Sequence, residues 1–139
     1  MNNFEIADIL YFNRYFFTDT DESAPHFALV VLPSRLTSFE SSILCAVITS
    51  NRPAAFFILL EATKYNCFSK QSFVCFNRLD FNSIIDLDRG KKQPLNQLDK
   101  VDRKQAFKVL RAVLDGTDLM KDIYIRAAIV REWKLKRND

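Results

Sequence analysis

The chain has 139 residues, of which 48% are hydrophobic and 13% aromatic, and only two are glycine. This length and composition predict one domain, residues 1–139, with its own core, and exclude a disordered or low-complexity chain. The net charge of +3 is small, but residues 100–139 contain eleven Lys or Arg against six Asp or Glu, so the basic excess lies in this tail.

The first two thirds of the chain predict short strands separated by polar turns. Continuous apolar runs of four to eight residues are typical of strands buried on both faces. The acidic segment 18–25 and the polar stretch after Pro33 predict loops. Residues 54–62 are ambiguous, although their Phe-Phe-Ile-Leu-Leu centre favours a strand. The other predicted strands are residues 8–12, 27–32, 43–48, 73–76 and 83–87, with alternation at 77–82 between the last two.

The pattern changes to an amphipathic helix after a linker at residues 88–94. Apolar residues recur at three- and four-residue steps over 95–114, and Asp115-Gly116 predicts the end of the helix. Thr117 followed by Asp118 predicts the cap of a second helix. The sequence therefore predicts an α+β domain, in which a β-rich core (residues 5–94) forms a small, strongly bent antiparallel sheet or barrel. Two helices follow at residues 95–137.

A first candidate site follows from residues 26–51. Two apolar runs are separated there by a polar connection, and the second ends on Thr49-Ser50-Asn51, followed by Arg52 and Pro53. A buried strand that ends on hydroxyl and amide groups brings them to the rim of a sheet, where a ligand can reach them.

The cysteine pattern and the N-terminal sequence indicate the cellular compartment of the protein. Cys45, Cys67 and Cys75 have spacings that match no zinc or redox motif, so we expect reduced core residues and no metal or other cofactor. The N-terminus lacks the features of a signal peptide. No apolar run approaches the roughly 18–20 residues of a membrane helix. The sequence predicts a soluble, cytoplasmic protein.

The order of these segments resembles the PemK/MazF toxins. The segments that carry the resemblance are PHFALVV (25–31), AVITSN (46–51), VCFN (74–77) and the predicted helix at 95–114. The resemblance covers roughly residues 5–115 and rests on order and spacing. It implies an SH3-like barrel with packed helices, usually dimeric. It also implies a metal-independent endoribonuclease that cleaves single-stranded RNA and is neutralised by a protein antitoxin.

The resemblance also assigns site residues. His26 lies where the family commonly has Arg followed by Pro, and here Phe27 follows it. Thr49 and Ser50 match the family's hydroxyl position at the end of the next strand.

The acidic position departs from the family pattern. The family often has Asp directly after the Val-Cys pair, whereas this chain has Phe76. The nearest acid is Asp80, with Arg78 close to it in sequence, so the carboxylate of the predicted catalytic set moves to Asp80.

The chemistry of metal-free RNA cleavage gives each residue type a role. A base removes the 2′-hydroxyl proton, an acid protonates the leaving 5′ oxygen, and cations stabilise the charge on phosphorus. The single imidazole suits either proton role, and an arginine offers paired donors. The predicted catalytic set is His26, Thr49, Ser50, Arg52, Arg78 and Asp80. The predicted RNA-binding set is Asn51, Lys64, Lys70 and Asn77.

Three functions remain open at this level. The first is an endoribonuclease toxin. The second is a binding module of the same fold, inactive and specific for RNA or protein, in a regulatory or defence system. The third is a subunit whose aromatic surface is covered by an obligate partner. The predicted partners are RNA, an antitoxin or other subunit, and a second copy in a homodimer. The basic end of the second helix either binds phosphates or is a solvated face favoured by the helix dipole.

Overall fold

The computed structural model describes residues 4–18, 20, 22–37, 41–88, 94–117 and 120–136. Within these residues seven strands precede two helices, and short 3-10 turns lie at Ser34–Leu36 and Ile84–Asp86. The strands are β1 (Asp8–Phe16), β2 (Ser23–Leu32), β3 (Ser42–Thr49), β4 (Phe57–Leu60), β5 (Ser72–Cys75), β6 (Asp80–Ser83) and β7 (Asn96–Gln97). The helices are α1 (Lys100–Gly116) and α2 (Ile123–Lys136).

The strands form one antiparallel sheet in the order β4-β5-β3-β2-β1-β7, and β6 also pairs with β3. β5 pairs with the end of β3 at Ile48 and Thr49, whereas β6 pairs with its first half, Ser42 to Cys45. The chain bends between β5 and β6, and Leu87 then bridges to Phe12 of β1. The sheet is therefore strongly curled into a half-barrel.

Side chains of β6 hold this curl by binding the end of β1. The amide of Asn82 accepts from the backbone N–H of Phe16 at 2.7 Å and donates to its carbonyl at 3.2 Å. The Asp80 carboxylate accepts from the Tyr15 hydroxyl and from the Thr18 backbone N–H, both at 2.7 Å. β1 and β6 are not neighbours in the sheet order, so these contacts cross the curl.

Each face of the sheet has its own apolar cluster, because side chains alternate between the faces of a strand. The cluster inside the curl contains Leu10, Phe12, Ala28, Val30, Cys45 and Val47. The other face packs against the helices and includes Leu29, Val31, Ala46, Ile48, Leu110, Ile129 and Trp133. The central strands β2 and β3 are buried on both sides, which explains their continuous apolar runs.

The helix α1 is fixed at its N-terminus by polar contacts and along its length by apolar ones. Asp99 caps it by accepting from the Asp102 backbone N–H at 2.8 Å. The Tyr65 hydroxyl donates to the Asp102 carboxylate at 2.6 Å and accepts from the Asp99 backbone N–H at 3.0 Å. The buried face continues along the helix through Ala106, Phe107, Leu110, Val113 and Leu114.

The helix α2 begins later than predicted. Asp122 accepts from the backbone N–H groups of Tyr124 and Ile125, so it caps the helix in place of the predicted Thr117 and Asp118. The Thr117 hydroxyl instead donates to the Val113 carbonyl at the end of α1, and Asp118 lies outside the described residues. The Trp133 indole donates to the Val31 carbonyl at 2.8 Å and joins α2 to the sheet.

The predicted α+β class with a strongly bent antiparallel sheet and C-terminal helices is confirmed. The first strand extends beyond residue 12 to Phe16, because Asn82 of β6 forms hydrogen bonds with the backbone of Phe16. The predicted strand at 83–87 is wrong, since Ser83 accepts from the Ile85 backbone N–H and starts a 3-10 turn. The first helix starts at Lys100 rather than 95, because Asn96 and Gln97 pair with β1. Most of the predicted linker at 88–94 lies outside the described residues.

No helix within the described part is both long and apolar enough to span a membrane.

We predict that Trp133→Phe lowers the free energy of unfolding by about 1–3 kcal/mol, because it leaves the Val31 carbonyl without its buried donor. Urea unfolding measures the change. Leu135→Ala is the matched control on the same helix, since Leu135 is 63% exposed, and it should change stability by no more than about 0.5 kcal/mol. Equal effects of the two substitutions would contradict the proposed role of the indole.

Candidate functional site at the rim of the sheet

The start of β2 and the end of β3 meet at one rim of the sheet. Phe27 pairs with Ile48 and Ala28 with Val47, so the next positions toward the rim are His26 and Thr49. Because side chains alternate, His26 and Thr49 lie on the same face of the two strands. The predicted proximity of the imidazole and the hydroxyl therefore follows from the strand register.

A cavity of about 390 Å³ opens at this rim. Five of the ten predicted site residues line it, namely His26, Thr49, Ser50, Asn51 and Lys70. The other lining residues are Tyr11, Pro25, Phe27, Ile48, Ser69 and Ser72. The cavity thus combines an imidazole, an ammonium group, an amide and several hydroxyls, and none of its described lining residues is acidic.

His26 is half-buried among aromatic rings. Its ring packs edge-on against Phe17 at 5.5 Å and Tyr15 at 6.1 Å between centroids. Burial lowers the pKa of His26 below its usual value of 6.5, and a hydrogen bond with the backbone of Ile48 partly opposes this by favouring the charged form. The imidazole is therefore mainly neutral near pH 7, which is the form that acts as a general base.

The polar turn after β3 is held by Thr49, the last residue of that strand. The Thr49 hydroxyl accepts from the Asn51 backbone N–H at 3.1 Å, the local bond that Thr commonly makes in turns. This contact fixes the turn, and the side chains of Ser50 and Asn51 remain exposed. On the neighbouring segment the Ser72 hydroxyl donates to the Lys70 carbonyl at 3.1 Å, which orders the start of β5 beside the cavity.

Asp80 does not line the cavity. Its side chain is fully buried, and both carboxylate oxygens already accept hydrogen bonds, one from Tyr15 and one from Thr18. Arg78 Nε lies 3.8 Å from the same carboxylate. Burial, with the nearby charge of Asp80, raises the pKa of Tyr15, so its hydroxyl stays protonated and donates. We therefore leave Asp80 out of the catalytic set proposed below.

The two predicted arginines flank the cavity without lining it. The Arg78 guanidinium lies over the Phe17 ring, 4.5 Å from its centroid, and Phe17 also packs against His26. The Arg52 guanidinium lies 5.1 Å from the centroid of Phe57. Phe57 in turn packs against Phe73, which pairs with Thr49 across the sheet. Phe57 pairs with Cys75, two residues further along β5, so Arg52, Phe57 and Phe73 form an aromatic surface that starts beside Thr49 and runs inward from the rim.

Lys64 and Asn77 lie outside the cavity. The Lys64 ammonium pairs with Asp99 and with Asp102, the latter at 3.2 Å, and these contacts raise the pKa of Lys64. Lys64 therefore binds the start of α1. Asn77 accepts from the Cys75 thiol and lines a different cavity with Phe56, Val113 and Thr117.

Sequence reasoning named Lys70 but missed its neighbours Ser69 and Ser72. Ser69 and Ser72 line the cavity beside Lys70. The pairing of β5 with β3 is the signal that could have identified these two serines. Because β5 runs antiparallel to β3, the start of β5 must lie beside the end of β3.

Comparisons of the chain with protein-family models and with curated proteins gave no match. The assignment of function therefore depends on the geometry of the site. Among the described residues, no group of three or more His, Cys, Asp or Glu side chains is placed to hold a metal ion.

We predict that Tyr15→Phe lowers the free energy of unfolding by about 1–3 kcal/mol, because the buried Asp80 carboxylate loses a hydrogen-bond donor. Urea unfolding measures this change. Tyr124→Phe removes the same hydroxyl from a side chain that is 81% exposed, and we expect a change within about 0.5 kcal/mol. If the two substitutions cost the same, the Tyr15–Asp80 contact does not hold the curl.

We also predict a pH dependence of stability that involves His26. Its pKa is lower in the folded state, so the unfolded chain binds the proton more readily. The free energy of unfolding should therefore fall as the pH drops below about 6.5, and level off below the folded-state pKa. His26→Gln should lack this part of the decrease, as measured by urea unfolding at pH 5 and pH 8. Identical pH profiles for the two proteins would contradict the lowered pKa.

Proposed function

We propose that the protein is a metal-independent endoribonuclease of the PemK/MazF type that cleaves single-stranded RNA at the rim cavity. The observation that carries this proposal is the meeting of the chain's single imidazole with Thr49, Ser50, Asn51 and Lys70 in one open cavity. The combination suits a phosphodiester, because it offers a neutral base together with a cation and several hydrogen-bond donors.

The proposed reaction uses the 2′-hydroxyl of the RNA as its nucleophile. Neutral His26 takes the hydroxyl proton as the 2′ oxygen attacks the neighbouring phosphorus. The bond from phosphorus to the 5′ oxygen then breaks, which leaves a 2′,3′-cyclic phosphate and, after protonation, a free 5′-hydroxyl. General base catalysis by a positioned histidine is worth about 10²–10⁴ in rate.

The remaining cavity residues have positioning and electrostatic roles in this proposal. Lys70 brings the positive charge that meets the developing charge on the phosphate oxygens and can donate to the leaving 5′ oxygen. Thr49, Ser50 and Asn51 donate hydrogen bonds to the non-bridging oxygens. Lys70 thus takes the role that the sequence had assigned to an arginine.

The aromatic side of the rim suits the nucleotide next to the cleaved phosphate. Phe57 is half-buried, and the exposed Arg52 lies over its ring. Aromatic rings and arginine planes both stack on bases, at about 1–3 kcal/mol per base, with little dependence on sequence. We propose that Arg52 and Phe57 hold a base beside the phosphate bound at Thr49.

The second candidate function is an RNA-binding module of the same fold without cleavage. The burial of Asp80 favours it, because the described lining of the cavity then contains no carboxylate to share the proton transfers with His26. In either case we propose a cytoplasmic protein whose partners are single-stranded RNA, a second copy of the chain and another protein, which is an antitoxin for the endoribonuclease or another subunit for the binding module.

Cleavage of a long, weakly structured transcript in the presence of EDTA tests the enzymatic proposal. We expect cyclic phosphate ends, and a loss of about 100-fold or more in rate for His26→Gln. Thr49→Val should also lose activity, whereas Thr63→Val, a matched change at an exposed residue outside the cavity, should not.

The outcomes separate the two candidates. Absence of cleavage by the wild-type protein, or full activity of His26→Gln, would overturn the endoribonuclease proposal. Binding of the transcript without cleavage, weakened by Thr49→Val but not by Thr63→Val, would establish the binding module instead.

A further inference from the structure

A second concave surface lies between α1 and α2, and we call it the interhelical groove. Its volume is about 570 Å³, and α1 contributes Arg111, Leu114 and Asp115 to it. On α2 the lining starts at Ile123 and ends at Lys134, and its positions follow the i, i+3, i+4, i+7 spacing of one helix face. These positions form one stripe of the helix, about 16 Å long at 1.5 Å per residue. The groove can therefore take about three turns of helix or a short extended segment.

The floor of the interhelical groove is apolar and partly exposed. Leu114 is buried and closes the bottom, and Val130 is half-buried against the core. Ile123 is 66% exposed, and the small side chain of Ala127 leaves space between the helices. An apolar surface of this kind rimmed by charge is typical of a site that binds another protein.

The rim of the groove is basic. Among the described residues of the lining, Arg111, Arg126, Arg131 and Lys134 are basic and one, Asp115, is acidic. Arg111 pairs with Asp115 at 3.1 Å, and Arg131 pairs with Glu132 at 3.2 Å just outside.

The other two rim cations form no salt bridge with a carboxylate of the described residues. Arg126 donates instead to the carbonyl of Leu114 at 2.7 Å, which fixes its position. No carboxylate among the described residues forms a salt bridge with Lys134. The rim therefore retains positive charge above an apolar floor.

We propose that the interhelical groove docks an acidic, amphipathic segment of a partner protein. Acidic side chains of the segment would pair with Arg126, Arg131 and Lys134 on the rim, and its apolar side chains would cover Ile123 and Ala127 on the floor. Such charge complementarity speeds association and excludes basic partners.

Two other occupants fit the groove less well. An RNA backbone would use the cations but would leave the apolar floor without a contact, and none of the described lining residues is aromatic, so no ring is present for a base to stack on. A second copy of the chain related by a twofold axis would bring the same basic rims together, and like charges repel. The inference does not depend on the function proposed for the rim cavity.

A defined peptide tests this docking site. The probe is a fluorescein-labelled peptide of about 12 residues, with Leu at three- and four-residue spacing and Glu between them. The reference probes are the same peptide with every Leu replaced by Ser, and an oligouridine of equal length. Fluorescence anisotropy of each probe with the full-length protein gives its affinity.

We expect the Leu-containing peptide to bind, and the reference probes to bind at least about fivefold more weakly. Lys134→Glu and Ile123→Ser should each reduce its affinity by about fivefold or more. The matched controls are Lys100→Glu, at the far end of α1, and Leu135→Ser, an exposed apolar residue of α2 outside the groove. Both controls should stay within about twofold of the wild type.

Three results would overturn the proposal. One is equal binding of the Leu and Ser peptides, which would mean simple ionic attraction. Another is preferential binding of the oligouridine with the same sensitivity to Lys134→Glu, which would mean a nucleic-acid surface. The last is absence of binding by the Leu peptide up to about 1 mM. All substituted residues are exposed, and circular dichroism checks that each variant is folded.

Discussion

The buried carboxylate of Asp80 constrains the shape of the whole sheet. A carboxylate that is fully removed from water must receive hydrogen bonds, because an unpaired buried charge costs several kcal/mol. Its donors, the Tyr15 hydroxyl and the Thr18 backbone N–H, come from the end of β1 and the turn after it. β1 must therefore bend over the inner face of β3 to reach β6, and this bend makes the sheet a half-barrel. The contact of Asn82 with the backbone of Phe16 acts in the same direction.

The same bend places the candidate site. Tyr15 and Phe17, at the bent end of β1, pack against the imidazole of His26 and partly bury it. This burial lowers the pKa of His26, which also lines the open rim cavity. Asp80, which the sequence analysis placed in the catalytic set, therefore has a structural role. Its carboxylate holds Tyr15, and the Tyr15 ring packs against His26 at the rim. The catalytic set that we propose, His26 with Thr49 and Lys70, needs no carboxylate in the cavity.

Much of the fold was predictable from the sequence, because long apolar runs and helical periodicity are local signals. Residues 27–32 and 43–48 have such signals, and both form central strands. The end of β1 was not predictable, since it depends on Asn82, which is distant in sequence. The start of α2 was placed too early because Thr117 resembles a helix cap in sequence, whereas its hydroxyl donates to Val113 at the end of α1 and Asp122 caps α2. For the site, alternation and strand order indicated His26 beside Thr49. Only the tertiary structure separates Lys70, which lines the cavity, from Lys64, which pairs with the start of α1.

The central claim of our proposal is that RNA binds at the rim cavity and not at Arg78 and Asp80. An NMR titration of the ¹⁵N-labelled protein with a short 2′-O-methyl RNA, which cannot be cleaved, tests it directly. The account predicts that the largest amide shifts occur at residue 26, at residues 49–52 and at residues 69–72. Shifts confined to the surroundings of Arg78 and Asp80, shifts confined to the interhelical groove, or no shifts at all would contradict it.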